Sequence, residues 1–285
     1  MFAITAITGQ VGGVVARTLL AAGKNIRAVV RDTAKGDTWA GQGCEVALAP
    51  MDDPDALQAA FSGTAGVFVL LPPNFDPKPG FPESRHIIAA LRKALDAARP
   101  ERLVVLSTVG AHATTENLLT QLSLMEQALG TLPLPVTFLR PAWFMENAAW
   151  DLPPARDTGV IPSFLQPLDR KIPMVSTADV GRVAAELLQE SWKGNRVVEL
   201  EGPQRISPID IAASYAQLLG RAVSPKAIPR DTWEMLFRSQ GMHHPTPRMR
   251  MLDGFNEGWI AFEHTPLKGR VEMDTVLRGI IERAS

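Results

Sequence analysis

The chain of 285 residues has one cysteine, Cys44, one tyrosine, Tyr215, and no cluster of like charges. A lone thiol excludes disulfides within the chain and thiolate metal sites, and Cys44 reads as a half-buried residue leading into a strand. A formal net charge of −1, with no run of Lys or Arg, leaves no electrostatic footprint for direct nucleic-acid binding. No apolar stretch approaches the ~20 residues that span a bilayer, so no membrane association is expected. Met1 leads straight into a strand pattern with no room for a signal peptide, and the expected compartment is the cytoplasm. Repeats, low-complexity runs and coiled-coil heptads are missing. The pair His243-His244 lacks HExxH spacing, and adjacent side chains rarely point at one ion, so no metal is expected.

What is present is a chain with 46% hydrophobic and 21% charged residues, enough to bury a full core. Apolar runs at 2–7, 26–31, 45–48, 66–71, 102–107, 136–140 and 197–200 alternate with helical patterns near 11–22, 54–62, 83–98 and 116–130. That βα spacing predicts a parallel sheet covered on both faces. The expected fold class is α/β, a Rossmann-type doubly wound parallel sheet with a smaller C-terminal α+β lobe. The sheet unit is expected over residues 1–150, with additions from about 175–200, and the smaller lobe mainly over 151–285.

The first strand runs into glycines at 9, 12 and 13. A strand that turns through glycine into a helix presents free N–H groups and the positive end of a helix dipole to an anion, usually a dinucleotide's pyrophosphate. Thr8, Gly9, Gln10, Val11 and Gly12 are therefore the expected phosphate turn. Gly9 would let the chain leave the strand sharply, Gly12 would admit the phosphate oxygens, and Gly13 would let the helix pack on the sheet. Residue 6, where a GxxGxxG pattern begins, is Ala6.

The second strand ends in Arg31-Asp32, about twenty residues past the first glycine, where the adenosine ribose is read. Arg31 offers a planar fork to a 2′-phosphate, with Lys35 as a second cation, which favours NADP(H) over NAD(H). Asp32 as a ribose ligand, with Arg31 and Lys35 as solvated loop charges, is the competing reading. After the third strand Asp53 and Pro54 read as a helix cap, and Asp52 is placed beside the adenine or as part of that cap. Leu70, Leu71 and Pro72 open a loop holding five prolines and would line the cofactor with backbone.

Ser107 and Thr108 end the fifth strand, where a hydroxyl would donate to a substrate carbonyl or merely form a turn. His112 is the histidine placed to act as an acid near that edge, unless it is simply solvated. Pro141, Ala142, Trp143 and Phe144 follow the sixth strand and suit a nicotinamide or an aromatic guest, or else fill core between lobes. From 231 to 265 the chain gathers Trp233, Met235, Phe237, Met242, Met249, Met251, Phe255, Trp259 and Phe262, a hydrophobic lid or the core of a small lobe.

TGQVGG at 8–13, RAVVRD at 27–32, DDPDAL at 52–57, VVLSTVGA at 104–111 and TFLRPAWFMEN at 137–147 together resemble the NmrA-like branch of the atypical short-chain dehydrogenase/reductases. LKGRVEMDTVLRGII at 267–281 is similar to that family's closing segment, and Phe144 with Asn147 matches its central segment best. The resemblance implies NADP(H) over the sheet edge and a small lobe closing above the nicotinamide. It also implies one of two roles: reduction of quinones or dyes, or sensing of the nicotinamide pool with binding of a regulatory protein.

The larger superfamily works through Tyr-x-x-x-Lys, whose phenol passes a proton during hydride transfer. Here Tyr215 is followed four residues later by Leu219, and no lysine lies between Lys93 and Lys171. Losing a positioned acid forfeits ~10²–10⁴ in rate, which argues against simple ketones. A quinone accepts hydride to give a phenolate of pKa about 10, which water can protonate. The expectation is an NADPH-dependent oxidoreductase for quinones or similar flat aromatic electrophiles, the alternative a non-catalytic regulator. An epimerase using tightly held NAD would need the missing tyrosine. Substrate and oligomeric state are not readable from the chain.

Overall fold

Hydrophobic runs of four to six residues, each followed by an amphipathic stretch, can bury both faces only in a sheet whose crossover helices return the chain to the same edge. In the computed structural model, which describes residues 1–284, this alternation appears as β1 (Phe2–Ile4), α1 (Gln10–Ala21), β2 (Ile26–Val30), α2 (Thr33–Ala40), β3 (Glu45–Leu48), α3 (Pro54–Phe61), β4 (Gly66–Leu70), α4 (Pro82–Ala98), β5 (Leu103–Leu106), α5 (Thr120–Leu129) and β6 (Val136–Pro141). The chain continues through β7 (Trp143–Phe144), a 3-10 helix at Met145–Asp151, α6 (Leu152–Asp157), β8 (Val160–Ser163), β9 (Ile172–Val175), α7 (Thr177–Gln189) and β10 (Asn195–Glu201). It closes with β11 (Arg205–Ile206), α8 (Pro208–Leu219), β12 (Ser224–Ala227), α9 (Trp233–Ser239), α10 (Thr246–Glu257), β13 (Leu267–Lys268) and α11 (Met273–Arg283).

The central sheet has eight strands in the order β13-β10-β6-β5-β4-β1-β2-β3, and every pairing is parallel. Alternate residues serve opposite faces. Val67, Val69, Leu103, Val105, Val136 and Phe138 join the core beneath α3, α4 and α5, while Ile4, Phe68, Val104, Leu106 and Leu139 join the core beneath α1 and α7. α1 and α7 touch backbone to backbone: a Cβ on Gly181 would lie 2.5 Å from Val14 Cβ and 2.9 Å from the Val11 carbonyl.

The smaller lobe has its own core around the fully buried Trp233, Tyr215 and Phe237, with the small sheets β11-β9-β7 and β12-β8. Of the methionine and aromatic side chains between 231 and 265, Trp233, Phe237, Met249, Met251 and Phe255 are core, while Met235 is exposed. Asp179 locks the closing segment onto α7. Its buried carboxylate accepts the N–H groups of Arg270 and Val271, each at 2.8 Å, and Arg182 at 3.0 Å. Gly269 has no room for a side chain there, since a Cβ would lie 2.5 Å from Asp179 Oδ2. Burial alone would raise the Asp179 carboxyl, but the donors from Val271, Arg182 and Arg270 outweigh it and hold the group below its usual range.

Two boundaries and one burial depart most from the sequence reading. β1 ends at Ile4 rather than at 7, because the chain turns at Ala6, which takes a left-handed conformation (φ 47°). α5 begins at Thr120 rather than 116, because Asn117 forms its own turn, its side-chain oxygen accepting the Leu119 N–H at 2.8 Å. Cys44 is buried rather than half-buried. Among the described residues no helix is long and apolar enough to cross a membrane.

Candidate functional site

The carboxyl edge of the sheet gathers the ends of β1, β2, β4, β5 and β6. The turn after β1 is tight: Gly9 N–H donates to the Ala6 carbonyl at 2.9 Å, and α1 starts at Gln10 with Gly9 as its N-cap and no side-chain cap. An uncapped first turn leaves backbone donors without partners inside the helix. Gly9 itself is extended (φ −87°, ψ 176°), so the sharp exit expected of it falls instead on Ala6, the residue in the first glycine position. Gly12 also carries a packing requirement within the turn. A Cβ on it would lie 2.3 Å from the Ala6 carbonyl oxygen, so its bareness lets α1 pack onto the turn. Thr8, Gly9 and Gln10 are exposed, and Val11 is buried.

Gln10 has a partner that sequence reasoning did not supply. Its side-chain amide lies 3.2 Å from the Thr177 hydroxyl, and Thr177, the first residue of α7, is held by Glu146, to which its N–H (2.9 and 3.0 Å) and its hydroxyl (2.7 Å) donate. Burial pushes the Glu146 carboxyl up despite the Thr177 hydrogen bonds. The phosphate turn, α7 and the segment after β7 are thus braced by one chain of polar contacts.

Arg31 follows β2, is exposed, and makes no hydrogen bond or ion pair among the described residues. Asp32 is the N-cap of α2, accepting the Lys35 N–H at 2.9 Å, and the Lys35 ammonium lies 4.0 Å from its carboxylate. Asp53 caps α3 with Pro54 in the first turn, and Asp52 is exposed beside it. Leu70 is half-buried, Leu71 buried and Pro72 exposed at the mouth of the proline-rich loop. That loop is tied to the smaller lobe, because Asp76 accepts the N–H groups of His243 and His244 at 2.8 and 2.5 Å. Burial works against the charge of Asp76, but these two donors prevail and hold its carboxyl below the usual range.

At the ends of β5 and β6 lies a charged cluster. The Ser107 hydroxyl donates to Glu126 on α5, and Arg140 at the end of β6 grips both oxygens of Glu126, at 2.8 and 2.6 Å, and also donates to Glu263. His112 Nδ1 lies 3.3 Å from Glu263. Glu199 on β10 accepts the N–H groups of Glu263 and His264 at 2.9 and 2.7 Å. Burial disfavours the Arg140 cation, but hydrogen bonds and charge from Glu126 and Glu263 more than compensate, so its pKa rises. Burial likewise disfavours the Glu263 carboxylate, but Arg140, His112 and His264 outweigh it and hold the group low. A guanidinium gripped from two sides is fixed in place, so the cluster is a rigid floor rather than a proton relay. Within it the His112 side chain is partly exposed.

The structure therefore brings Ser107, Thr108 and His112 to one edge with Pro141 and Phe144. It directs the Ser107 hydroxyl to Glu126 and that of Thr108 to the Val109 carbonyl at 3.1 Å. Pro141 is buried in β6, Phe144 packs on the sheet core, and Trp143 meets Phe255 edge to face at 5.1 Å, filling the space between lobes. Glu126, Arg140, Glu146, Glu199 and Glu263 were not singled out by sequence. The available signal was a charge inside an otherwise apolar strand, as Arg140 is in VTFLRP. Tyr215 is fully buried and donates to the Ala148 carbonyl at 2.7 Å, with its phenol pushed up by burial and by the charge of Asp151, so it serves the lobe core.

A wholly parallel sheet of this order, with an uncapped helix after its first strand and a small lobe over its carboxyl edge, defines a Rossmann-type α/β protein of the dehydrogenase/reductase kind. The chain belongs to the NmrA-like family, whose model matches residues 2–245. It is 27% identical over 244 residues to an NAD(P)H azoreductase of Xenophilus azovorans, covering 85% of this chain and 82% of that one. Identity is also 27% over 244 residues to quinone oxidoreductase 2 of Escherichia coli, with the same coverage of 85% and 82%. Its fold matches the triphenylmethane reductase of Citrobacter sp. solved with NADP(H), with a TM-score of 0.82 at 22% identity over 98% of this chain and 99% of the other.

Proposed function

We propose that the protein is an NADPH-dependent reductase that transfers hydride to a quinone or a similar flat electrophile. The observation that carries this reading is the pairing of an uncapped α1 turn with the unpartnered Arg31 at the end of β2. The turn offers backbone donors to a pyrophosphate, and Arg31 offers a planar fork to a 2′-phosphate. Lys35, already close to Asp32, adds charge beside it. Family membership supports a nicotinamide nucleotide, and the azoreductase and quinone oxidoreductase among its relatives support a small conjugated acceptor.

When bound, NADPH supplies a hydride. A quinone that receives it becomes a hydroquinone monoanion whose pKa of about 10 lets water deliver the remaining proton, so the overall change consumes one NADPH and one proton per hydroquinone. The residues of this chain then have to align and exclude rather than to donate. Leu70, Leu71 and Pro72 line one side, Pro141 and Phe144 the other, and the Arg140 cluster holds the floor between β5 and β6 in one conformation. His112 stands near enough to the edge to protonate an acceptor that needs it.

The test is the loss of NADPH absorbance with a panel of benzoquinones and naphthoquinones. Turnover that saturates in both substrates is expected. Tight NADPH binding with no turnover on any quinone would overturn the reductase reading and leave a nicotinamide-binding regulator in its place.

A further inference from the structure

Arg248 is the anomaly of the smaller lobe. It sits half-buried in the first turn of α10, with its guanidinium carbon 4.8 Å from the ring of Phe237, 5.8 Å from Trp150 and 5.9 Å from Phe75. Other arginines taken partly or wholly out of solvent have acceptors: Arg140 pairs with Glu126, Arg182 with Asp179 and Arg196 with Glu190, and Arg170 donates to the Asn256 carbonyl. Arg248 has no carboxylate and no hydrogen-bond acceptor among the described residues, and burial with nothing to offset it lowers its pKa. A cation in the first turn of a helix also faces the positive end of the dipole. Its five N–H donors have no acceptor within the protein among the described residues, and a ligand that brings a planar pair of oxygens would satisfy them.

The surroundings specify the rest of such a ligand. Phe75 and Trp150 meet edge to face at 6.4 Å, yet are 47% and 62% exposed, so two large rings stand in solvent beside a cation. Phe75 is not on a loose loop, since the neighbouring Asp76 is clamped by the His243 and His244 N–H groups and its charge is thereby committed. Phe75 lies three residues beyond Pro72 on the loop leaving the carboxyl edge, and Trp150 is in the 3-10 helix after β7, so the trio joins that loop to the smaller lobe. The inner face of Arg248 rests on Phe237, which stacks on Phe164 at 4.9 Å, so the guanidinium is backed by fixed aromatic packing.

We propose that this trio selects planar aromatic substrates carrying a sulfonate or carboxylate, with Arg248 reading the anionic group and Phe75 and Trp150 taking the ring system. The proposal rests on the reductase reading and names its substrate class. Arg248 is here a specificity-determining residue rather than one that acts on the reacting atoms. Aromatic faces supply affinity that is indifferent to charge, whereas a half-buried guanidinium discriminates by charge.

The experiment uses the full chain saturated with NADP⁺ and titrated calorimetrically with naphthalene-2-sulfonate, which cannot accept hydride. NADPH oxidation is then compared for 1,4-naphthoquinone and its 2-sulfonate. The wild type is expected to bind the sulfonate saturably, and Arg248→Gln to weaken that binding about 10- to 100-fold. The ratio of kcat/KM for the sulfonated quinone to that for the parent should fall by a similar factor. Arg248→Lys, which keeps the charge and loses the fork, should fall between, and Trp150→Ala should weaken both quinones alike. Equal losses on charged and uncharged quinones in Arg248→Gln, or no saturable heat with the wild type, would overturn the proposal. If Arg248-dependent sulfonate binding persists while no quinone is reduced, the substrate site stands and the reductase reading fails. Turnover of the parent with indifference to the sulfonate would leave the reductase standing and remove the anion-reading role of Arg248.

Discussion

Replacing Gly12 by alanine tests the turn after β1 more directly than any change at its solvent-facing residues. The added Cβ would stand 2.3 Å from the Ala6 carbonyl oxygen, 2.7 Å from the Ala6 carbonyl carbon and 3.0 Å from the Thr5 carbonyl oxygen. All three are backbone atoms, so no side chain can swing aside. Real contacts of this kind begin near 3.0 Å, so α1 and the turn must separate by about 0.7 Å, the difference between 3.0 and 2.3. Overpacking of this size costs about 1–3 kcal/mol, and the better helix propensity of alanine returns up to about 1 kcal/mol. A net loss of about 1–2 kcal/mol corresponds to a Tm lower by about 2–8 °C. Displacing the α1 donors should at the same time weaken NADPH at least about tenfold, because oriented contacts tolerate little misplacement. Differential scanning calorimetry and a fluorescence titration with NADPH measure the two effects. Adding Ala6→Gly should relieve the left-handed strain at residue 6, worth about 1 kcal/mol, but should not restore binding, since the clash is with the carbonyl and not with the methyl of Ala6. An unchanged Tm together with unchanged NADPH affinity in Gly12→Ala would refute the geometry of the turn.

Arg31→Ala should weaken NADPH about 10- to 100-fold while leaving NADH nearly unaffected in parallel fluorescence titrations, and equal losses would remove the phosphate-reading role. Asp179→Ala strands the Arg270 and Val271 N–H groups and the Arg182 side chain, and should lower stability in urea by about 2–4 kcal/mol; a loss below about 1 kcal/mol would show that the closing segment is held by something else. The Asp179 carboxyl is held low when folded, so its contribution is complete above about pH 4 and is lost only as pH falls through that lowered value. Asp151 has the opposite sign. Burial raises its carboxyl from 3.8 to about 7, so the folded state keeps the proton while the unfolded chain loses it, and stability falls as pH rises from about 4 to about 7, then levels. The span amounts to at most about 4 kcal/mol, less whatever hydration the half-buried side chain retains. Asp151→Asn should therefore raise the urea midpoint at pH 8 relative to pH 5 when compared with wild type, and parallel profiles for the two proteins would contradict this.

The pieces of this protein that were legible in the chain are those set by neighbours a few residues apart. Short continuous apolar runs bounded by polar stretches located the strands from 26–30 through 136–141, and Asp53 with Pro54 marked a helix start, because capping and φ restriction are local. The same locality explains the misreading of Gly9. Spacing identifies which residues form a tight turn, but the left-handed angle fell on Ala6, since which residue takes the strain depends on how α1 settles against β1. The missing tyrosine–lysine pair was also plain in one dimension, and with it the argument for an acceptor that needs no protein acid.

Composition and period thus determined a parallel α/β sheet, a glycine turn poised for an anion and a cation at the second strand's end, all properties of short stretches. Tertiary structure alone decided which charges are satisfied. Arg140 finds Glu126 and Glu263 from distances of 14 and 123 residues, whereas Arg248, an ordinary helix arginine by sequence, is left among Phe75, Trp150 and Phe237 with no anion at all. Pairing and burial of a charge depend on which elements the fold sets side by side, and contacts across such separations leave no periodic trace in the chain.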